Sequence, residues 1–591
     1  MKTAVLNVEA FAAVLLLSGM TALASAAVLQ PATTSLPAPV TITRSLGLNT
    51  LAVHLQSCGG ACQVHVTGNG NNGSIRINGS PSMNYSDINI LSISGGPEPD
   101  TVTFDFSQGN PITSDGIFFF ANGGGDLLRL VGTGTESGSY LPSASTPGAG
   151  AMVVGGGSIE FSGLQPVEVS GFATYTLTTP NSNDIVLVDT PAAGKNRISG
   201  TSGSVAFESL TFSSVTTVTL DTGANDDLLP DDAVTVANGG LVATGLQHFI
   251  VSTGAGADVL TINTPSYTLP VAGGAFAFDG GSGINTFTGT DLGHAGVVYA
   301  LSETAVTSSA GADGTIALSS VSQVSVSGGN GSDTFEITPS ESTAFAINGG
   351  LPNPPDSPGD QLLVLTAGTT SPLLTASLDG GGTGWSGDWT FADRQTVGFS
   401  RIETTQAPFT VQTSPTGLAF AVDDVPYASP QTFSWVLGSA HTIATISPQP
   451  TGAGTQQAFT SWSDGGALSH AITASATATT YTAYFVTQYQ LITQASPANR
   501  GMVTPPSDQY FEAGSVVNIA AIPNQGAVFS RWSGPVAQPL AAATTVTMIG
   551  PQTVTALFGE PAPIPALGAM GVLALAALLL AVGLLTRRRF G

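Results

Sequence analysis

The chain has 591 residues, with 38 acidic side chains against 13 Lys and Arg, and its formal net charge is −25. Only 9% of its residues are charged, whereas globular proteins usually carry about a quarter. A chain so poor in basic residues lacks the clustered cations that neutralise phosphates, so a nucleic-acid partner is excluded. Thr, Ser, Gly, Val and Ala are abundant instead, and this composition predicts an all-β protein of strands and turns.

The first segment, residues 1–26, has the features of an export signal. Lys2 lies in a short basic region, an apolar stretch runs from Phe11 to Leu17, and Ala24-Ser25-Ala26 is a small-residue cleavage site. We therefore expect an exported protein.

The next segment, residues 27–87, is a predicted N-terminal β region that contains the only two cysteines, Cys58 and Cys62. In an exported chain they predict a local disulfide that clips a hairpin around Gly59-Gly60. The alternative is a metal site in which His54 and His65 join the two cysteines.

A repeated phrase fills residues 88–405. Short alternating strands lead into a Gly-rich turn with an acid, and in four copies the acid follows the first apolar strand residue by nine positions: Leu91 to Asp100, Val218 to Asp227, Phe249 to Asp258 and Val324 to Asp333. A second turn follows 26 or 27 residues later, at Asp126, Asn285 and Asp360. Such a period is about what three short strands and their turns need for one coil. We therefore predict a β-solenoid-like stack of coils, with a tandem array of small β-sandwiches as the alternative.

Two of these turns, 253–261 (TGAGADVLT) and 328–336 (GGNGSDTFE), resemble the calcium-binding nonapeptide of RTX proteins. The resemblance implies calcium as a cofactor, bound by turn carboxylates. The candidate residues are Asp100, Asp126, Asp227, Asp258, Asp333 and Asp360. The alternative is a purely structural turn, in which Gly permits positive φ and Asp hydrogen-bonds its own backbone. The nonapeptides do not follow one another, which favours the structural turn and no cofactor.

Two tandem modules follow, at 406–486 and 487–559. Each contains F-x-x-W-S, with Trp462 and Trp532, and a closing x-T-A-x-F strand. They resemble the bacterial repeat modules related to the divergent InlB B-repeat, which are small β-folds of cell-surface proteins. The tryptophans are interpreted as core anchors, with ligand-binding aromatics as the alternative.

The last segment, 560–591, combines a Pro-rich motif, 20 uncharged and almost wholly apolar residues at 566–585, and a basic cluster. The length predicts a membrane-spanning helix, and the basic cluster predicts a membrane stop on the cytoplasmic side. The cluster is Arg587, Arg588 and Arg589. The segment resembles the IPTL-CTERM sorting tail, a relative of PEP-CTERM signals. Its motif residues are Ile564, Pro565, Ala566 and Leu567, the third of which departs from the family's Thr.

The resemblance of the tail implies a partner and a route. An exosortase-type sorting enzyme of a Gram-negative bacterium would cut it after a transient stay in the inner membrane, and the product would reach the cell surface or the extracellular space.

No catalytic motif stands in the sequence. The histidines are scattered, and acidic pairs such as Asp226-Asp227 are adjacent, so that in a strand they would lie on opposite faces. We therefore predict a non-catalytic surface or matrix protein of the adhesin type, with an extracellular polysaccharide or another surface component as the candidate partner. A carbohydrate-active β-helix enzyme on a repeat stalk and a calcium-binding structural array are the alternatives.

Overall fold

The computed structural model describes residues 40–563 and 568–587, except 46, 48, 57, 124, 228–229, 265–266, 291–295, 311–313, 351–358, 381–383 and 477–479. The export signal, the motif at 564–567, Arg588 and Arg589 lie outside the described residues. The chain divides into two compact units between Gln406 and Ala407. The structure is mostly β.

The first unit is built from short strands. Strands β1 to β16 are β1 (Val40–Ser45), β2 (Thr50–Leu55), β3 (Gln63–Asn69), β4 (Asn72–Ile77), β5 (Met83–Tyr85), β6 (Ile90–Ser94), β7 (Thr101–Asp105), β8 (Ile117–Phe120), β9 (Leu127–Val131), β10 (Ser137–Pro142), β11 (Gly150–Val154), β12 (Gly157–Ser162), β13 (Val167–Thr178), β14 (Ile185–Ala192), β15 (Lys195–Ser202) and β16 (Val205–Asp221).

Its remaining strands are β17 (Ala233–Val236), β18 (His248–Ser252), β19 (Ala255–Gly256), β20 (Val259–Ile262), β21 (Ala275–Asp279), β22 (Ser282–Gly283), β23 (Thr286–Thr290), β24 (Val298–Leu301), β25 (Ala305–Ser308), β26 (Gly314–Ser319), β27 (Gln323–Ser327), β28 (Thr334–Ile337), β29 (Ala344–Asn348), β30 (Gln361–Val364), β31 (Leu373–Leu378), β32 (Trp385–Thr390), β33 (Val397–Ile402) and the start of β34 (Thr404–Ser414).

Parallel pairing between successive coils is the organising feature of this unit. A coil consists of two strands joined by a corner, and each strand pairs in parallel with its equivalent in the next coil. Thus Leu91 of β6 pairs with Ile117 of β8, and Val102 of β7 pairs with Leu128 of β9, both 26 residues later. These parallel pairs are those of stacked coils and differ from the antiparallel pairs that build sandwiches.

Antiparallel excursions interrupt some of the coils and explain the unequal repeat lengths. Strands β10, β11 and β12 form one such meander, and β14 to β16, β24 to β26 and β31 to β33 form others. In each meander the third strand is also a coil strand. A long repeat therefore contains a short coil and a coil lengthened by its excursion.

The core of the first unit consists of columns of apolar side chains that alternate with outward polar ones. One column runs through Leu51, Leu91, Ile117 and Ile159, all at most 3% exposed. Burial of each such side chain contributes about 2 kcal/mol. The outward positions carry mainly Thr, Ser, Gly and Ala, so the faces need few ion pairs.

The cysteine segment does not form the predicted hairpin. Strand β2 pairs with β1 and β6, whereas β3 pairs with β4 and β7. Residues 58–62 therefore lie in a corner between two coil strands. The prediction was wrong because apolar alternation is the same in a hairpin and in a coil, and it does not specify the partner strand.

The second unit contains the rest of β34 and then β35 (Phe420–Val422), β36 (Val425–Tyr427), β37 (Gln431–Val436), β38 (Ala440–Thr445), β39 (Gln449–Gly452), β40 (Thr455–Trp462), β41 (Ser469–Thr473), β42 (Thr480–Ser496), β43 (Gly501–Thr504), β44 (Gln509–Glu512), β45 (Val516–Pro523), β46 (Val528–Ser533), β47 (Ala543–Thr547) and β48 (Gln552–Gly559). A 3-10 turn covers Ala498–Arg500.

The two modules share strand β42. Its first part pairs in parallel with β34, and its last part pairs in parallel with β48. In both modules the Trp-bearing strand, β40 or β46, pairs antiparallel with the closing strand. A smaller antiparallel sheet completes each module: β36-β35-β38-β41 in the first and β43-β45-β47 in the second.

Helix α1 (Ala569–Arg587) is the one helix longer than a single turn in the described residues. Its 19 residues are about 28 Å long at about 1.5 Å per residue. Among the residues that the structure describes, we found no helix long and apolar enough to cross a membrane. The prediction of a membrane-spanning helix over 566–585 is therefore not supported.

Candidate functional site

A row of buried carboxyl side chains runs along the corners of the first unit, and we call it the carboxyl ladder. Each member directly precedes the second strand of its coil, and every member except Asp184 accepts a hydrogen bond from the backbone of the preceding coil. The N–H of Cys62 donates to Oδ1 of Asp100 at 2.7 Å, and the N–H of Asp100 donates to Oδ1 of Asp126 at 2.8 Å. The ladder thus connects successive coils at their corners.

Two further columns repeat this geometry. In one, the N–H groups of Asp184, Asp232 and Asp258 donate to Asp232, Asp258 and Asn285 at 2.8, 2.9 and 3.1 Å. In the other, the N–H groups of Val297, Asp333 and Asp360 donate to Asp333, Asp360 and Glu403 at 2.8, 2.8 and 2.7 Å. Backbone donors that would otherwise be buried without a partner are satisfied in this way.

The glycine that follows the first strand of a coil makes room for the ladder. A Cβ added at Gly328 would lie 2.6 Å from Oδ2 of Asp333 and 2.4 Å from the carbonyl oxygen of Gly349. A Cβ at Gly95 would lie 2.5 Å from Oδ2 of Asp126. Neither glycine has a positive φ, so close approach and not backbone conformation requires the missing side chain.

Burial is the main cause of the altered acidity of several ladder carboxyls. It raises the pKa of Asp126 and Asp184 to about 6 and that of Asp232 and Asp360 to about 7, in spite of hydrogen bonds that lower it. Burial also raises the pKa of Asp258. A buried carboxyl favours its neutral form because the charged form loses its hydration.

Five of the six candidate calcium residues lie in the ladder: Asp100, Asp126, Asp258, Asp333 and Asp360. Asp227 does not, since it is exposed and Asp232 takes the ladder position of its coil. The sequence reasoning missed Asp184, Asp232 and Glu403. In the described part of the chain, no group of three or more His, Cys, Asp or Glu residues is arranged to hold a metal ion.

The structural-turn interpretation is correct in part. Oδ2 of Asp100 accepts from the N–H of Gly96 at 2.7 Å, and Oδ2 of Asp333 accepts from the N–H of Gly329 at 3.0 Å, both within their own turns. The other oxygen, however, bonds the neighbouring coil. A signal for this was the 26- to 27-residue spacing of the acids, which matches one coil.

Cys58 and Cys62 form a disulfide, with Cα atoms 5.4 Å apart. They are therefore not metal ligands. His65 instead lies 3.2 Å from Asp105 on the neighbouring parallel strand. The disulfide closes a corner that ends at Cys62, the residue whose backbone N–H donates to Oδ1 of Asp100.

The two module tryptophans are core residues. Trp462 is 2% exposed and Trp532 is 3% exposed. The indole N–H of Trp532 donates to the carbonyl of Ala541 at 2.9 Å, and its ring packs near Phe529. Neither ring is available as a binding platform.

A Ser–His–Asp arrangement in the first module was missed by the sequence reasoning. Nδ1 of His441 lies 2.8 Å from Oδ2 of Asp423, and Nε2 lies 2.8 Å from Oγ of Ser439. The imidazole stacks on Trp435, with ring centroids 4.1 Å apart. Ser, His and Asp contact one another here in the same sequence as in a nucleophilic catalytic triad.

The surroundings of Ser439 favour a structural role for this arrangement. Its hydroxyl donates to the carbonyl of Val436 at 2.6 Å, and the N–H groups of Gly438 and Ser439 are bonded to carbonyls inside the module. Neither of these two N–H groups is therefore left to stabilise an oxyanion.

The second module contains the same turn without the histidine. Oγ of Ser515 donates to the carbonyl of Glu512 at 2.6 Å, as Ser439 does to Val436, and buried Val517 takes the place of His441. The alignment of Gly-Ser at 438–439 with Gly-Ser at 514–515 was the sequence signal that this serine belongs to a turn.

Comparison with known proteins identifies part of the second unit. Searches against curated proteins and against solved structures gave no match. Residues 491–561, the second module, match the divergent InlB B-repeat domain, so this part of the chain is a bacterial repeat module.

Proposed function

We propose that this chain is an exported, non-catalytic structural or adhesin-type protein of the bacterial surface or extracellular matrix. The observation that carries the proposal is the repeat module at 491–561, which joins a neighbouring module of the same layout through one strand. Such modules suggest a bacterial surface repeat protein.

The first unit supports the same role. Backbone-to-side-chain hydrogen bonds connect successive coils at its corners. Its outward side chains are mainly small and uncharged. Most ladder carboxyls are engaged with the backbone of the preceding coil, as Asp126 and Asp360 are. The role of such an array is to present surface over many coils, with an extracellular polysaccharide or another surface component as the proposed partner.

The proposed role of the tail at 560–591 is to determine where the exported protein is delivered. A tagged full-length protein and a variant without 560–591 should be compared by fractionation and by protease accessibility of intact cells. We expect the full-length protein at the surface and the truncated one retained or released elsewhere. Equal surface display of both would refute sorting by the tail.

Two further variants make this test sharper. Replacement of Arg587, Arg588 and Arg589 by Gln tests the basic cluster alone, while Arg401→Gln removes a basic residue of the first unit and should leave the destination unchanged. If the purified protein also hydrolyses polysaccharides, and a single carboxyl substitution abolishes the turnover, the non-catalytic part of the proposal fails.

A further inference from the structure

The second ladder column contains the most concentrated group of buried carboxyls. Asp184, Asp232 and Asp258 are at most 1% exposed. No well-formed hydrogen bond reaches either oxygen of Asp184, or Oδ2 of Asp232 and of Asp258, and only neutral hydroxyls lie beside them. Both oxygens of the neighbouring Asp226 are also buried, with the backbone N–H of Ala255 as their nearby donor. Ionised carboxylates rarely persist in such surroundings.

The groups that face this column do not supply a counter-charge. Its titratable neighbours are Asp221, Asp226 and Asp231, and the adjacent hydroxyls are those of Thr179, Ser202, Thr222 and Thr253. Among the described residues, no Lys, Arg or His contributes to the pKa shifts of these carboxyls. Lys195 and Arg197, on the nearby β15, are paired with Glu168 and Asp189.

The last member of the column shows what a neutral side chain does at this position. Asn285 accepts from the N–H of Asp258, as a ladder carboxyl would. Its Nδ2 group also donates to the carbonyls of Gly280 and Ser320 at 2.7 and 2.9 Å. A carboxylate can accept the first bond but cannot donate the other two, whereas a carboxylic acid can donate one.

Two occupants could remove the charge, a metal ion or protons. The described His, Cys, Asp and Glu residues form no group of three suited to a metal. We propose that Asp184, Asp226 and Asp232 hold protons in the folded protein, so that the first unit takes up protons as it folds and is most stable in mildly acidic surroundings. This proposal does not depend on the proposed function.

The direction of the pH dependence follows from the raised pKa values. Asp232 has a pKa of about 7 and Asp184 and Asp226 of about 6, all above the ordinary value of 3.8. The folded protein therefore binds more protons than the unfolded chain between these values. The stability from this source is complete below about pH 4 and is lost as the pH rises through 6 and 7.

The test measures the stability of the first unit in the full-length protein by hydrogen exchange of peptides from 179–236, at about pH 5.5 and about pH 8, with correction for intrinsic exchange rates. In the wild type the opening equilibrium should be roughly thirtyfold to several hundredfold more favourable at the higher pH. Asp232→Asn should remove much of this dependence and should protect the region at about pH 8. The matched control Asp231→Asn removes the same charge from an exposed neighbour and should behave as the wild type.

A second measurement keeps the proposal falsifiable if Asp232→Asn fails to fold. Potentiometric titration of the native and the urea-unfolded wild type should show an excess of protons bound to the native form between about pH 4 and 7. Equal proton binding, or greater protection at the higher pH, would overturn the proposal. So would protection of the wild type by calcium chloride at about pH 8 that is absent in Asp232→Asn, because the occupant would then be the metal ion.

Discussion

Asn285→Asp changes one atom of the ladder and tests whether the corner amide holds three coils together. Asn285 is fully buried, and its Nδ2 group donates two bonds to carbonyl oxygens. In the variant an oxygen faces these two oxygens. Each lost bond costs about 1 kcal/mol, and each buried carbonyl left unpaired adds about 1 to 3 kcal/mol. Because the carbonyls can relax towards other donors, we expect a loss of about 3 to 5 kcal/mol at about pH 8.

Hydrogen exchange read by mass spectrometry is the appropriate assay, since the chain has two units and a single unfolding midpoint would not describe it. Peptides covering 275–290 and 315–327 should lose protection by roughly a hundredfold to several thousandfold, as a 1.4 kcal/mol change is tenfold. Protonation gives the new carboxyl one donor, so about half of the loss should be recovered at about pH 5.

The matched control is Asn348→Asp. Oδ1 of Asn348 accepts from the N–H of Gly350 at 3.1 Å, which a carboxylate can also do. This variant adds the same charge to the same unit but should change protection little. If Asn285→Asp is as well protected as the control at about pH 8, the corner amide does not hold the coils together and the reasoning is refuted.

Three further predictions concern the corners and the modules. Gly328→Ala places a Cβ against two oxygens and should destabilise its corner by about 2 kcal/mol in hydrogen exchange, whereas Gly380→Ala, with no atom within 4 Å of its added Cβ, should be nearly neutral. Trp532→Phe loses a buried hydrogen bond and ring volume, so urea unfolding of the second module should show a loss of about 2 to 3 kcal/mol; no loss would contradict its role as a core anchor. Burial would raise the pKa of Asp464, but the hydrogen bonds from His470 and from the backbone N–H of Gly466, together with the charge of His470, outweigh burial and lower the pKa. Stability from this pair should therefore fall as the pH drops below about 4, and His470→Gln should reduce that fall.

The regular part of the ladder could be predicted from the sequence because its period is constant. Asp100 and Asp126, like Asp333 and Asp360, are one short coil apart, and the structure brings each pair within one hydrogen bond. Where an excursion lengthens a coil the period is lost: Asp184 and Asp232 are 48 residues apart and still occupy neighbouring positions. Spacing therefore identifies only the short coils.

The chemistry of the turns was harder to predict than their position. A Gly-Gly-x-x-x-Asp turn looks the same whether glycine supplies a positive φ, makes room for a neighbour, or exposes a carboxylate to calcium. At Gly95 the reason is Oδ2 of Asp126, and at Gly328 it includes the carbonyl oxygen of Gly349; both oxygens belong to the next coil, so these contacts exist only once the coils are stacked. Local sequence does not contain this information, since the contact depends on the whole coil.

The low charge of the chain and its acidic balance have separate structural causes. Charged pairs are little needed because the outward strand positions carry Thr, Ser, Gly and Ala. The acids suit the corners because a coil corner leaves a backbone N–H that a side-chain acceptor from the next coil can reach. Asp and Asn both fit this geometry, and Asn285 shows that a charge is not required. What distinguishes Asp from Asn is that its carboxyl can bind or release a proton. We therefore expect the acids of the ladder to make the stability of the stack depend on pH.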